Sequence, residues 1–316
     1  MKVLANDGIS SPGKQKMEEA GFEVIETKVA QKQLADFINK NDISALLVRS
    51  ATQVDKTLID ACANLKLIGR AGVGLDNIDV AHAKTKGISI VHTPKASTES
   101  VAELVIGHLL SGTRFLANAN RNMPLEGDSR FKQLKKSYQK GIELKGKTLG
   151  IIGFGRIGQA VAKKAIGLGM KVLFHDRFLE ETELNITFFD EQKLTFKLSG
   201  NSMEDVLKHS DFISIHVPQG KDYIIGASEL QKMKNGAGII NAARGGVLDE
   251  VALIQALDQG KIAFAGLDVF ESEPAPEIKI LMHPNISLSP HIGGSTVEAQ
   301  ERISVELAEQ LITILK

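Results

Sequence analysis

The sequence predicts an α/β protein made of two doubly wound parallel-sheet domains, and three observations predict it. Short β-branched and apolar runs alternate with polar helical segments along the first hundred residues, and the alternation resumes after residue 147. Strands separated by helix-length segments need crossover connections, which produce parallel sheets. A glycine-rich hexapeptide, Gly153-Phe154-Gly155-Arg156-Ile157-Gly158, lies between an apolar strand and a helix. The length, 316 residues, suits two domains that each bury a core.

In the first alternation, strands are expected over residues 2–5, 22–25, 43–48, 65–69 and 88–91, with helices over 13–20, 31–39 and 56–63 between them. Thr93-Pro94 closes the last strand, and Ser97 or Thr98 caps a helix expected to run from 98 to 122. Its apolar stripe is Val101, Leu104, Val105, His108, Leu109 and Phe115. The residues leave two uses open for that stripe: burial between domains or burial against a partner subunit. A lysine-rich stretch, 130–147, precedes the second alternation. There strands are expected over 148–153, 171–175, 211–216, 238–242, 263–268 and 286–289. Helices fall at 156–168, 202–208, 227–233 and 250–258, and a final amphipathic helix spans 295–316. Segment 179–200 breaks the pattern. Phe188, Phe189, Leu194 and Phe196 alternate as in strands, which predicts an inserted hairpin.

The chain is 43% hydrophobic and 24% charged, with 38 basic residues balancing 38 acidic ones. That composition excludes disorder, and the zero net charge argues against a dedicated nucleic-acid or membrane-surface binder. The single cysteine, Cys62, has no partner for an internal disulfide, which fits a reducing compartment. The start lacks the apolar run of a signal peptide, and no stretch reaches membrane-spanning length. A cytoplasmic protein is expected. No His, Cys or acid cluster has metal-ligand spacing, so no metal is expected.

The hexapeptide is G-x-G-x-x-G in the strand-to-helix context that gives the pattern its meaning. Gly153 permits the tight turn, Gly155 lets backbone approach a pyrophosphate, and Gly158 lets helix and strand pack closely. Arg156 and Ile157 then begin a helix whose free N–H groups and partial positive charge suit phosphate. Asp176 ends the next strand, where a carboxylate can accept both ribose hydroxyls and repel a 2′-phosphate. The expected cofactor is therefore NAD, although Arg177 adjoins the acid. His216-Val217-Pro218 ends a further strand and is a candidate lining of the cofactor cleft.

Eight histidines compete for a catalytic role. His108 and His82 read as parts of helices, and His209 as a helix-end residue. His291 differs, standing in Ser289-Pro290-His291-Ile292-Gly293-Gly294, where glycines let a cofactor or substrate approach the backbone. Arg244 follows one strand in Asn241-Ala242-Ala243-Arg244-Gly245-Gly246. Acids follow another in Leu267-Asp268-Val269-Phe270-Glu271-Ser272-Glu273-Pro274. Doubly wound sheets place ligands at such strand ends. An arginine there can orient a carboxylate bidentately, a histidine can move a proton, and an acid can fix the histidine tautomer. Surface ion pairs would give the same residue types. Earlier in the chain, Arg49 and Arg70 follow apolar strands and Gly72-Val73-Gly74 presents a backbone nest, which together suggest an anionic substrate. Taken singly, these arginines also read as solvated loop charges.

These motifs, with Gly69-Arg70-Ala71-Gly72-Val73-Gly74-Leu75-Asp76-Asn77-Ile78-Asp79, occur in the order and spacing of the D-2-hydroxyacid dehydrogenases, and the chain resembles that family throughout. The resemblance implies an NAD-binding Rossmann domain, 97–291, inserted into a flavodoxin-like substrate-binding domain, 1–96 plus 292–316. It implies that Arg244 holds the substrate carboxylate and carbonyl, His291 is the acid–base group, and Glu273 pairs with it. Asp268 would meet the nicotinamide amide, with Gly293 nearby and Arg156, Ile157, Asp176, Val217 and Ala242 around the rest of the NAD. Arg49 and Arg70, with Val73 and Gly74, stand where the family's phosphoglycerate enzymes bind substrate. A second arginine found two places after Arg49 in some relatives is Ala51 here. Lys136 falls near the region that reaches a neighbouring subunit, and a homodimer through the NAD-binding domain is implied. The pattern is nearest the short phosphoglycerate dehydrogenases, with the chain stopping at Lys316 before any regulatory domain. The implied reaction is oxidation of 3-phospho-D-glycerate with NAD. Reduction of glyoxylate, hydroxypyruvate or another 2-oxo acid is the nearest alternative, and an NAD-sensing corepressor-like binding role is a remote one.

Overall fold

Ile43-Ser44-Ala45-Leu46-Leu47-Val48 is too short and too β-branched for a helix, and it forms the central strand of a five-stranded parallel sheet. The computed structural model describes residues 1–316 and divides them into two units, Met1–Ser100 with Gly294–Lys316, and Val101–Gly293. In chain order the first unit holds β1 (Lys2–Ala5), α1 (Ser11–Glu19), β2 (Glu23–Ile25), α2 (Leu34–Lys40), β3 (Ile43–Val48), α3 (Lys56–Ala61), β4 (Leu67–Arg70), α4 (Val80–Thr85) and β5 (Ser89–His92). The helix α5 (Thr98–Thr113) crosses into the second unit, which continues with α6 (Leu116–Ser137), β6 (Thr148–Ile152), α7 (Arg156–Gly167) and β7 (Lys171–His175). Then come β8 (Glu181–Thr187), β9 (Lys193–Ser199), α8 (Met203–His209), β10 (Phe212–Ile215), α9 (Ala227–Lys232) and β11 (Ala237–Asn241). The series closes with α10 (Glu250–Asp258), β12 (Ile262–Leu267), α11 (Ile278–Met282) and β13 (Ile286–Leu288), and α12 (Val297–Leu315) returns to the first unit.

The first sheet runs β2-β1-β3-β4-β5, the flavodoxin-like order, with every pairing parallel. One face packs on α12, whose Leu307, Ala308 and Leu311 are buried with Val3, Ala5, Met17 and Leu67. Gly13 permits α1 to lie against α12, because a Cβ at Gly13 would sit 2.3 Å from the Ser304 carbonyl oxygen. The C-terminal helix is thus part of the first unit's core.

The second sheet runs β13-β12-β11-β10-β6-β7, again all parallel. Strand order reverses at β6 and β10, so ligand chemistry is expected at their C-terminal ends. Phe154 and Phe174 stack with ring centroids 4.0 Å apart in its core. Segment 179–200 forms the expected hairpin, with β8 antiparallel to β9 and Leu184 opposite Phe196. Leu184 is buried while Phe189 at the tip is fully exposed.

The helix expected over 98–122 is two helices instead. Phe115 takes a left-handed backbone, φ 58, and α6 starts anew after it. The break is tertiary in origin: the Thr113 carbonyl accepts the Ile142 N–H, and the Phe115 ring stacks on Tyr138. The returning chain beyond α6 therefore overrides an uninterrupted helical pattern. The lysine-rich stretch is helical in its first part, since α6 kinks at Arg130, where φ is −124, and resumes to Ser137. No helix is long and apolar enough to cross a membrane.

Candidate active site

The glycine-rich turn is built as its spacing requires. Gly153 has φ 90, and a Cβ there would meet the His216 carbonyl oxygen at 2.4 Å. A Cβ at Gly158 would lie 2.2 Å from the Gly153 carbonyl oxygen, so this glycine closes the helix against the turn. Gly155 is different. It caps α7, and a Cβ on it would touch no protein atom within 4 Å. The fold needs the first and third glycines, whereas a Cβ at the second would meet open space. Arg156 is exposed and Ile157 half-buried in the first turn of α7. Asp176 accepts the Phe154 N–H at 2.7 Å through one carboxylate oxygen and the Phe178 N–H at 2.9 Å through the other. Each oxygen keeps a lone pair for a ribose hydroxyl. These residues fit the adenosine and pyrophosphate half of NAD.

At the neighbouring strand end, the His216 ring bonds Ser214 Oγ through Nε2 at 2.8 Å, and its Nδ1 is buried without a hydrogen-bond partner. Burial drives its pKa down to about 3, so the ring is neutral. Val217 packs beside Gly153, Pro218 is exposed, and Ala242 is half-buried against the core at the end of β11.

Three loops carry the remaining second-unit candidates. Asn241, buried at the end of β11, donates through Nδ2 to the Arg244 carbonyl at 2.8 Å and accepts the Ala243 N–H at 3.1 Å, which fixes the turn bearing Arg244. Arg244 Nη1 donates to the Ala243 carbonyl at 2.6 Å. Gly245 lets this turn touch the next loop, since a Cβ there would fall 1.9 Å from the Phe270 carbonyl oxygen. In that second loop, Glu273 accepts the Phe270 N–H at 3.0 Å. Glu250 and Glu271 clasp each other's backbone N–H groups at 2.9 and 2.8 Å, tying the loop to the start of α10. Burial and the neighbouring carboxylate raise the Glu250 pKa, against the hydrogen bond it accepts.

The third loop holds His291. Its Nδ1 lies 2.8 Å from Glu273 Oε2, in a half-exposed pair. A carboxylate accepts only, so Nδ1 carries the proton and Nε2 is the atom available to a reactant. His291 has φ 54, held by bonds from its N–H to the Asp268 and Ser289 carbonyls at 2.8 and 3.1 Å. Asp268 is buried, and its carboxylate takes the Ile292 and Gly293 N–H groups, both at 2.8 Å. Asp268 thus anchors the His291 loop. Asn241 as a loop anchor and the Glu250–Glu271 clasp lie outside the sequence reading; only their presence inside recognised motifs or beside a helix start could have flagged them.

In the first unit, Arg49 and Arg70 end adjacent strands, with Val48 in register with Arg70. Asp7 accepts the Arg49 N–H at 2.7 Å and the Thr52 hydroxyl at 2.9 Å, and it pairs with Lys28. Burial pushes the Asp7 carboxyl upward, but Lys28 and the bonds from Arg49 and Thr52 outweigh it and hold it below the usual range. Arg49 Nε is buried without a hydrogen-bond partner. Arg70 folds over Gly72, where φ 149 and the absent Cβ admit its guanidinium. The Val73 carbonyl accepts from His92 Nδ1 at 2.9 Å, which fixes the turn leading to Gly74. Lys136 is exposed on α6 in the second unit.

The family model described as "D-isomer specific 2-hydroxyacid dehydrogenase, NAD binding domain" matches residues 106–293, more than half of the chain. This chain belongs to the D-2-hydroxyacid dehydrogenase family. It is an NAD-dependent enzyme, and the second unit contains its NAD-binding domain. It is 44% identical to hydroxypyruvate reductase of Thermotoga maritima, over 98% of this chain and 97% of that one. It is 40% identical to D-3-phosphoglycerate dehydrogenase of Archaeoglobus fulgidus over its whole length, while spanning 58% of that longer protein. Among solved structures, a glyoxylate reductase from Paecilomyes thermophila matches with a TM-score of 0.82 at 30% identity, over 100% of this chain and 95% of that one.

Proposed function

We propose that the chain oxidises 3-phospho-D-glycerate to 3-phosphohydroxypyruvate with NAD, the first step of serine synthesis, and runs the reverse reduction. The observation that carries the reaction is the His291–Glu273 pair at 2.8 Å on a loop anchored by Asp268. Bound NAD supplies the hydride acceptor. His291 Nε2 takes the hydroxyl proton from carbon 2, and Glu273 stabilises the charged ring that results. Arg244 binds the carboxylate, and its guanidinium suits a bidentate grip. Arg49 and Arg70 take the substrate phosphate. Support for that choice comes from the buried Arg49 Nε, a donor with no protein acceptor, and from the phosphoglycerate dehydrogenase among the relatives.

A second reading, reduction of hydroxypyruvate or glyoxylate, is favoured by the 44% identity to a hydroxypyruvate reductase over nearly the full length of both chains. It keeps the same acid–base group and cofactor. We also propose a cytoplasmic homodimer through the NAD-binding domain. Leu116, Met123, Leu125 and Phe131 expose apolar side chains along α6, in keeping with a subunit interface there. His291→Ala tests the chemistry. Turnover is expected to fall about 10²–10⁴-fold with coenzyme binding retained, and an unchanged rate would remove His291 from the mechanism.

A further inference from the structure

A second histidine is tied to the loop that carries His291. His108 lies buried on α5, and it packs on β12 where Gly266 leaves room for it. Its ring spans two serines. Nδ1 lies 3.0 Å from Ser287 Oγ on β13, and Nε2 lies 2.8 Å from Ser289 Oγ in the loop that follows. Ser289 gives its one hydroxyl proton to Asp268 Oδ1 at 2.6 Å, so toward His108 it can only accept. The imidazole proton therefore sits on Nε2, and Nδ1 faces Ser287 Oγ, which also lies 3.1 Å from Ser111 Oγ.

The chain of bonds ends on the carboxylate that takes the Ile292 and Gly293 N–H groups. Burial lowers the His108 pKa, against the opposing pull of the Asp268 charge, which favours the neutral ring. An apolar side chain would fill this place on the α5 stripe at no desolvation cost. A histidine adds the one thing an apolar residue lacks, a donor that holds Ser289 in its bond to Asp268.

We propose that His108 is a positioning residue for hydride transfer: through Ser289 it fixes the Asp268 carboxylate, and through that carboxylate the backbone of residues 291–293. The proposal rests on the reading of His291 as the acid–base group. Its effect on rate follows from geometry, because small misplacements of a reacting group are costly to turnover.

The test uses the full chain carrying His108→Leu, His108→Gln or Ser289→Ala. In His108→Leu, hydrogen exchange at the Ile292 and Gly293 amides is expected to quicken about tenfold or more, with the amides of β6 and β12 unaffected. Its kcat is expected to fall about tenfold. His108→Gln, which restores a donor near the Nε2 position, should recover most of both losses. Ser289→Ala breaks the chain one link later and should reproduce His108→Leu, which keeps the test open should the leucine variant fold poorly. Wild-type exchange and kcat in both breaking variants would overturn the proposal. So would a kcat loss that glutamine fails to recover and that comes with faster exchange throughout the sheet, the mark of a packing defect. If His291→Ala leaves turnover intact, the acid–base reading fails, and the exchange measurements still decide whether His108 holds the loop.

Discussion

His291 sits at φ 54, a backbone conformation that costs a non-glycine residue about 1–2 kcal/mol. Its N–H bonds to Asp268 and Ser289 stabilise it there, and the bond to Glu273 directs the ring. The sequence made His291 one candidate among eight histidines, because periodicity carries no information about a loop's φ or about a partner eighteen residues away. Motif resemblance selected it, and the structure adds a carboxylate 2.8 Å from its ring. His216 was legible as a strand-end residue, but its burial was not. The folded ring stays neutral down to about pH 3, whereas an unfolded histidine takes up a proton near 6.5. Stability from this group is therefore complete above 6.5 and is lost as pH falls toward 3, by about 1.4 kcal/mol per pH unit. Urea denaturation at pH 6.5 and 5.0 should show wild type losing about 2 kcal/mol more than His216→Gln. Equal losses would mean that the ring takes up protons freely in the folded state.

At the scale of elements, the strands were the most legible part, since a parallel sheet covered on both faces needs short, continuous apolar runs. The hairpin was legible too, although of the alternating residues only Leu194 and Phe196 stand in a strand, while Phe188 and Phe189 lie in the turn. The split between α5 and α6 was not, because Phe115 turns left-handed in response to Ile142 and Tyr138, which lie beyond the helix. The glycine-rich turn offers a separation of roles that sequence alone cannot make. Gly158→Ala would drive a methyl into the Gly153 carbonyl, so it should lower stability by about 1–3 kcal/mol and weaken coenzyme binding with it. Gly155→Ala meets no protein atom, so it should leave thermal unfolding nearly unchanged while raising KM for NADH about tenfold or more. Thermal melts beside coenzyme titrations distinguish the two, and an unaltered KM in Gly155→Ala would mean that no phosphate approaches that backbone.

At the scale of the whole molecule, both sheets were legible in the alternation of strands and helices, while the return of the C-terminal helix to the first unit came only from the family resemblance. Substrate choice was not legible, because one fold serves many functions, and the names of the relatives divide between a hydroxypyruvate reductase and a phosphoglycerate dehydrogenase. On the proposed reading the distinction falls to Arg49, which follows β3, and Arg70, which ends β4. The deciding measurement is NADH oxidation by the purified protein with 3-phosphohydroxypyruvate, hydroxypyruvate and glyoxylate at matched concentrations. A preference for the phosphorylated acid of about 100-fold or more in kcat/KM, equivalent to about 2.7 kcal/mol of transition-state binding, is the result expected if those arginines grip the phosphate. Equal rates, or a preference for hydroxypyruvate or glyoxylate, would contradict it and make this chain a general 2-oxo acid reductase.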